Sequence, residues 1–172
     1  MKALCIIDMQ GDFIDGALGT PEAQSIVGRV VQKLNSARAA GQPVIFTRDT
    51  HGADYLNTQE GRNLPVPHCI QNTKGWQITP ALDTTGCKII DKLGFGSLEL
   101  AEHLAEMPDV DAVELVGLCT DICVISNALL IKARLPELPV AVDAACCAGV
   151  TPASHANALK AMTMCQIEII NG

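Results

Sequence analysis

Several side chains able to do more than pack are scattered along this chain. The segment GLCTDICV (117–124) puts Cys119 and Cys123 four residues apart, just after an apolar run. Such a pair can bind a metal, close a disulfide, fill a core or supply a nucleophile. A second set is DTH (49–51), Glu60 and PHC (67–69). One acid and two histidines can hold a zinc-type cation with positions left open for water. Asp8 and Lys92 each end an apolar run, offering a carboxylate and an ammonium. Each residue alone has a plainer reading. A strand-ending Asp commonly bonds its own backbone, a Lys is commonly solvated, and a free Cys is commonly a small core hydrophobe.

The rest of the chain sets the bounds. Its 172 residues suit a single domain spanning 1–172, and 48% apolar content implies a packed core. A net charge of −7 argues against nucleic acid and anionic membranes as partners. No apolar run nears the roughly 20 residues of a spanning helix. The start, MKALCIIDMQ, lacks a signal peptide's long apolar stretch, so a cytoplasmic protein is expected. Eight cysteines in 172 residues fall below the roughly 8–10% of a disulfide scaffold. No C-x-x-C pair occurs. Cys5, Cys87, Cys119, Cys123, Cys146 and Cys165 lie in or beside apolar runs, where burial is the ordinary expectation.

Short apolar runs alternate with helical patterns. Strands are expected at 3–8, 43–49, 87–92, 111–118, 139–145 and 165–170, and helices at 21–41, 97–107, 120–135 and 152–163. That alternation predicts an α/β fold, a six-stranded, mostly parallel, doubly wound sheet with helices on both faces. Residues 50–86 have no clear period, and so long a loop in a compact domain is usually functional or disordered. His103 and His155 fall on helices and read as surface or cap residues.

Ligands of open parallel sheets bind beyond the carboxyl ends of the strands. There the first four runs deliver Asp8, Asp49 with His51, Lys92 and the GLCTDIC turn. Thr120 or Asp121 can cap the following helix, which puts Cys123 in its first turn. Helix-start N–H groups and a nearby lysine would pull the thiol below its free value of about 8.5 and yield a thiolate. Asp8 can take the proton, and N–H groups of the turn can hold an oxyanion. Cys119 precedes the helix, so the two sulfurs share no helical face, which weakens the metal-pair and disulfide readings.

The motifs IIDMQGDF (6–13), TRDTH (47–51), PVPHC (65–69), KLGFGS (92–97) and VGLCTDICV (116–124) resemble those of the isochorismatase-like cysteine hydrolases, and within them the nicotinamidases. The resemblance runs from residue 3 to about 168 and implies a six-stranded parallel sheet between helices. It implies Cys123 as nucleophile, Asp8 as proton shuttle and Lys92 as the cation beside the thiolate. The N–H groups of Cys119 and Cys123 would form the oxyanion hole, and Leu118–Cys119 matches the family's cis bond. Asp49, His51 and His68 match metal ligands, with Glu60 as the further acid, reached directly or through water. The cofactor implied is one divalent metal, zinc first, with manganese or iron also suited to such donors. The partner implied is a small amide, nicotinamide above all, and family members commonly form dimers or larger assemblies.

Where some members carry ring-stacking aromatics, this chain has Leu64, Pro65 and Val66, leaving Phe13, Phe95 or Trp76 to face a substrate ring. Isochorismate-type vinyl ether hydrolases generally lack the cysteine, and N-carbamoyl or ureido amidases generally lack the DxH…H set. A non-catalytic metal-binding or redox module is the remaining alternative, and it has no need of a base beside an oxyanion turn.

Overall fold

The computed structural model describes residues 1–172. Six strands form one sheet: β1 (Lys2–Ile7), β2 (Val44–Asp49), β3 (Lys88–Lys92), β4 (Ala112–Leu118), β5 (Val140–Ala148) and β6 (Glu168–Ile170). Every pairing is parallel, and the order is β3-β2-β1-β4-β5-β6. The chain winds outward from β1 to β3, then returns to lay β4 on the other side of β1. The crevice between the carboxyl ends of β1 and β4 is therefore the topological switch point, where ligands of such sheets bind.

Both sheet faces are covered, and side chains alternate between them as the pleat requires. In β1, Ala3, Cys5 and Ile7 enter one core while Leu4 and Ile6 enter the other. The first core is closed by α4 (Leu98–Ala105), α5 (Ile125–Arg134) and α6 (Pro152–Met164), through residues such as Leu100, Ile131 and Met162. The second is closed by α1 (Gly11–Ile14) and α2 (Pro21–Ala39), which buries Ala23, Ile26, Val30, Leu34 and Ala37 along one stripe. Thr20 accepts from the Ala23 N–H at 3.0 Å and Pro21 opens α2, so its start is fixed locally. No helix is long and apolar enough to cross a membrane.

Three departures from the sequence expectations touch the site. The helix expected from 120 begins as a π-helical turn, Thr120–Val124, before α5. The Cys119 carbonyl accepts from both Ile122 (3.1 Å) and Val124 (3.0 Å), so the i→i+5 bond widens the turn. Neither Thr120 nor Asp121 caps it; the cap position is Cys119, which contributes no side-chain bond. β5 runs on to Ala148, with a register shift opposite Leu115–Gly117. The loop 50–86 is ordered by a 3₁₀ turn, Tyr55–Asn57, and by α3 (Gln59–Asn63).

Candidate active site

The strand ends meet as the topology requires. Asp8, one residue beyond β1, has φ of 46°, a left-handed conformation that Asp tolerates better than most residues. Its Oδ1 accepts from the Thr47 hydroxyl at 2.7 Å, and Oδ2 lies 2.7 Å from Lys92 Nζ. That ammonium is also 3.5 Å from Cys123 Sγ and 3.2 Å from Asp49 Oδ1, and it donates to the Gly94 carbonyl at 3.0 Å. A carboxylate, an amine and a thiol, 115 positions apart at the extremes, thus touch through one nitrogen. All three are buried.

Burial sets the protonation of this cluster. Burial raises the Asp8 carboxyl above the usual range, with Asp49 adding to the rise and Lys92 opposing it. Burial also works against the Lys92 charge, yet Asp8, Cys123 and Asp49 hold the amine firmly protonated. The thiol differs from the expectation. Burial and then the Asp8 charge push Cys123 well above its ordinary value, and Lys92 only partly offsets them. The shift is therefore upward, opposite to the one that a helix start and a nearby lysine suggest, and desolvation is its largest cause.

The second cluster adjoins the first through Asp49. Asp49, His51, Glu60 and His68 each aim one donor atom at a common point, all within 4.8 Å of one another. His51 Nε2 is 2.9 Å from Asp49 Oδ2 and 3.6 Å from Glu60 Oε1; His68 Nε2 is 3.6 and 3.5 Å from the same two oxygens. Four donors roughly 2.0–2.2 Å from a tetrahedral centre stand about 3.4 Å apart, so the set fits a divalent cation. His68 Nδ1 donates to the Val66 carbonyl at 2.8 Å, which turns Nε2 toward the cluster as ligating imidazoles require. Burial opposes charge on His68, but Asp49 and Glu60 outweigh it and raise the ring to about 10. The same imidazoles, against the effect of burial, pull Asp49 below the usual carboxylate range.

Local backbone bonds gather these ligands. His51 N–H donates to the Cys69 carbonyl and Gln71 N–H to the His51 carbonyl, which ties 68–71 beside 51. Thr58 caps α3 by accepting from Gly61 N–H at 3.0 Å, placing Glu60 in its first turn. A Cβ at Gly61 would fall 2.0 Å from the Tyr55 carbonyl, so only glycine lets α3 sit this close. The Tyr55 ring packs edge-on behind His51 and His68, with centroids at 4.7 and 5.1 Å.

Comparison with known proteins bears on this geometry. The isochorismatase domain family matches residues 2–171. The chain belongs to the isochorismatase family. It is 27% identical over 185 residues to a nicotinamidase/pyrazinamidase of Mycobacterium tuberculosis, spanning 99% of this chain and 98% of that protein. A pyrazinamidase of Pyrococcus horikoshii in complex with zinc superposes with a TM-score of 0.87 at 29% identity, over 99% of both chains. A pyrazinamidase/nicotinamidase of Streptococcus mutans gives 0.87 at 28% identity, over 99% of this chain and 100% of the other. The six-stranded parallel sheet flanked by helices is the one these relatives share, and the chain is a hydrolase of this family.

In this isochorismatase domain a pocket of about 540 Å³ opens over both clusters. Cys123, Cys119, Asp49, His51, Glu60 and His68 line it, together with the apolar Phe13, Leu18, Leu64, Leu93, Phe95 and Ile122. Phe13 packs on His68 with ring centroids 5.5 Å apart, and Phe95 is half exposed at the mouth. Trp76 does not face the pocket, contrary to the sequence expectation. Its indole N–H donates to Thr50 Oγ1 at 2.8 Å and its ring lies 3.7 Å under the Arg48 guanidinium, so packing and a cation–π contact consume both faces. All eight cysteines are free, and Cys165 is exposed where burial was expected. Burial pushes the Cys119 thiol up to about 12, and the Cys119 N–H donates to nothing within the chain.

Sequence reasoning missed the groups that hold the site. Fully buried Gln10 donates to the Asp49 carbonyl (2.9 Å) and the Trp76 carbonyl (2.7 Å), and it accepts from Asp49 N–H (2.7 Å). Fully buried Asn127 donates to the Cys123 carbonyl (2.8 Å) and accepts from Ser97 N–H (2.9 Å), joining α5 to the loop after Lys92. For Asn127, a polar residue inside an otherwise apolar helical stripe was the only signal. His155, in the first turn of α6, is half buried and lies 2.7 Å from Thr120 Oγ1.

Proposed function

We propose that the chain is a cysteine amidohydrolase that holds one divalent metal and cleaves a small amide, nicotinamide to nicotinate and ammonia being the leading case. The observation that carries the reading is the single ammonium of Lys92, 2.7 Å from Asp8 and 3.5 Å from Cys123, beside a four-donor cluster lining the same pocket. Relatives of full-length overlap, named nicotinamidase or pyrazinamidase, support it.

Asp8 accepts the Cys123 proton as sulfur bonds to the amide carbon. The carbonyl electron pair moves onto oxygen, where the N–H groups of Cys119 and Cys123 receive the negative charge. One such donor is worth about 2.7–4 kcal/mol where it has been removed. Collapse breaks the C–N bond, and Asp8 returns its proton to the departing nitrogen, leaving a thioester. Water then gives a proton to Asp8 and attacks the thioester carbon. The acid leaves, and Asp8 reprotonates the sulfur. Lys92 stays charged throughout and compensates whichever of Asp8 or Cys123 carries the negative charge.

Asp49, His51, Glu60 and His68 would hold the cation, with zinc fitting their N/O donors first and manganese or iron next. When bound, it supplies an electrophilic anchor for a ring nitrogen of the substrate. Ammonia released on mixing the metal-loaded protein with nicotinamide, in step with nicotinate, is the expected result; none at saturating amide would overturn the nicotinamide assignment.

A second reading keeps the reaction and changes the amide. Leu18, Leu64, Leu93 and Ile122 make much of the pocket wall aliphatic, and only Phe13 and Phe95 can meet a ring. This favours a small amide of lower aromatic character, and an ammonia assay across such amides, including ureido compounds, separates the two.

A further inference from the structure

His155 stands behind the nucleophile's turn, on the side away from the pocket. It belongs to the first turn of α6, whose start is fixed by a reciprocal cap between Thr151 and Ser154. Its Nδ1 is 2.7 Å from the hydroxyl of fully buried Thr120, and the tautomer decides which of the two donates. A Cβ on Gly149 would fall 2.9 Å from the His155 backbone and Cβ, so the β5–α6 connection presses closely on this residue. The turn has further tethers: Ser126 Oγ donates to the Ile122 carbonyl at 2.6 Å, and Lys92 Nζ lies 3.5 Å from Cys123 Sγ. Val150 N–H donates to the Asp121 carboxylate at 3.1 Å, and Asn127 donates to the Cys123 carbonyl at 2.8 Å. The Asp121 and Asn127 bonds grip the turn beyond Thr120. Only the Thr120–His155 bond grips it next to Cys119, whose N–H is unpaired.

We propose that His155, acting through Thr120, is a positioning residue that fixes the Cys119 N–H and the Cys123 sulfur relative to each other. The inference rests on the cysteine mechanism above. Neither Thr120 nor His155 lines the substrate pocket, so their loss leaves the substrate's contacts in place. What changes is the alignment of attacking atom and oxyanion donor, and misplacement of about 1 Å can cost on the order of a hundredfold in rate. The bond therefore acts on kcat and leaves KM alone.

Asparagine carries a nitrogen where His155 has Nδ1, whereas glutamine carries one where it has Nε2. Thr120→Ser keeps the hydroxyl and Thr120→Val removes it. In the metal-loaded protein, His155→Gln and Thr120→Val are expected to lower kcat about tenfold to a hundredfold at unchanged KM. His155→Asn and Thr120→Ser should stay within about threefold, and the Gln/Val double variant should lose no more than either single change, since the two residues make one bond. Rates are taken per folded protein, and iodoacetamide labelling of Cys123 is followed in parallel. Labelling needs no amide substrate, so it separates failure of this proposal from a wrong choice of substrate. Altered labelling in His155→Gln and Thr120→Val but not in His155→Asn and Thr120→Ser supports the positioning role. Equal kinetics and labelling across all four variants, a rise in KM in step with the fall in kcat, or losses that multiply in the double variant would overturn it.

Discussion

Two clusters meet at one pocket, and they are built differently. The thiol, acid and amine come from the ends of β4, β1 and β3, each within a few residues of a strand. The metal-type set takes Asp49 and His51 from the end of β2, but Glu60 and His68 from the long loop. The charges differ as well. Asp8, Lys92 and a neutral Cys123 sum to zero, so this cluster is balanced with nothing bound. Asp49 and Glu60 bring two formal negative charges, and the upward shift of the His68 ring they cause, to about 10, answers them only in part. One cluster is therefore balanced as folded, and the other keeps a net negative charge that suits a divalent cation. Asp49, 3.2 Å from Lys92, is where they join.

The difference can be broken at either end. Cys123→Ala should produce the largest effect: turnover falls by about 10⁶ or to background, as when other nucleophiles are removed, while thermal unfolding stays that of the parent. A variant retaining a hundredth of the activity would remove the sulfur from the reaction. Lys92→Met should cost stability, since it leaves Asp8 and Asp49 buried without their cation. Breaking a buried pair in this way costs about 3–5 kcal/mol, readable by denaturant unfolding. An unchanged midpoint would deny that the first cluster depends on this charge.

At the other end, removing metal with a chelator, or Glu60→Gln, is expected to act on KM more than on kcat, because in the proposed reaction the cation would anchor substrate while the thiol cluster stays intact. An unchanged KM in metal-free protein would separate the loop cluster from the reaction. The smallest effect is expected for Cys119→Ala, at most a few-fold, because the proposed reaction uses only its backbone and burial pushes its thiol up. A loss comparable to that of Cys123→Ala would give that sulfur a role of its own.

The same contrast explains how much was legible in the sequence. Apolar runs that stop at Asp8, Asp49, Lys92 and Cys119 announce strand ends, and parallel topology then forces those ends together. The loop ligands could be named from residue types and from likeness to known motifs. Their convergence depends on the His51–Cys69 and Gln71–His51 backbone bonds, which have no sequence period. The π-helical turn was hidden because TDICVISNALL carries an ordinary helical pattern, and only the shared Cys119 carbonyl widens it. Trp76 looked like a ring wall by type, but Thr50 and Arg48 claim it. Gln10, Asn127 and His155 were invisible as partners because each bonds a residue at least 30 positions away or a backbone atom. The thiol's acidity was misjudged because a helix start can be read from sequence, whereas complete burial beside a carboxylate cannot.

The interplay of Asp8, Lys92 and Cys123 is tested most directly by the pH dependence of Cys123 alkylation in the parent and in Asp8→Asn. The Asp8 charge raises the thiol and Lys92 lowers it, so deleting the charge while keeping the amine should shift the labelling curve to lower pH and quicken labelling at neutrality. Ammonia release by the same variant should fall by about 10²–10⁴, the usual worth of a general acid–base. A curve that stays in place or moves to higher pH would mean that Asp8 does not govern the sulfur's proton.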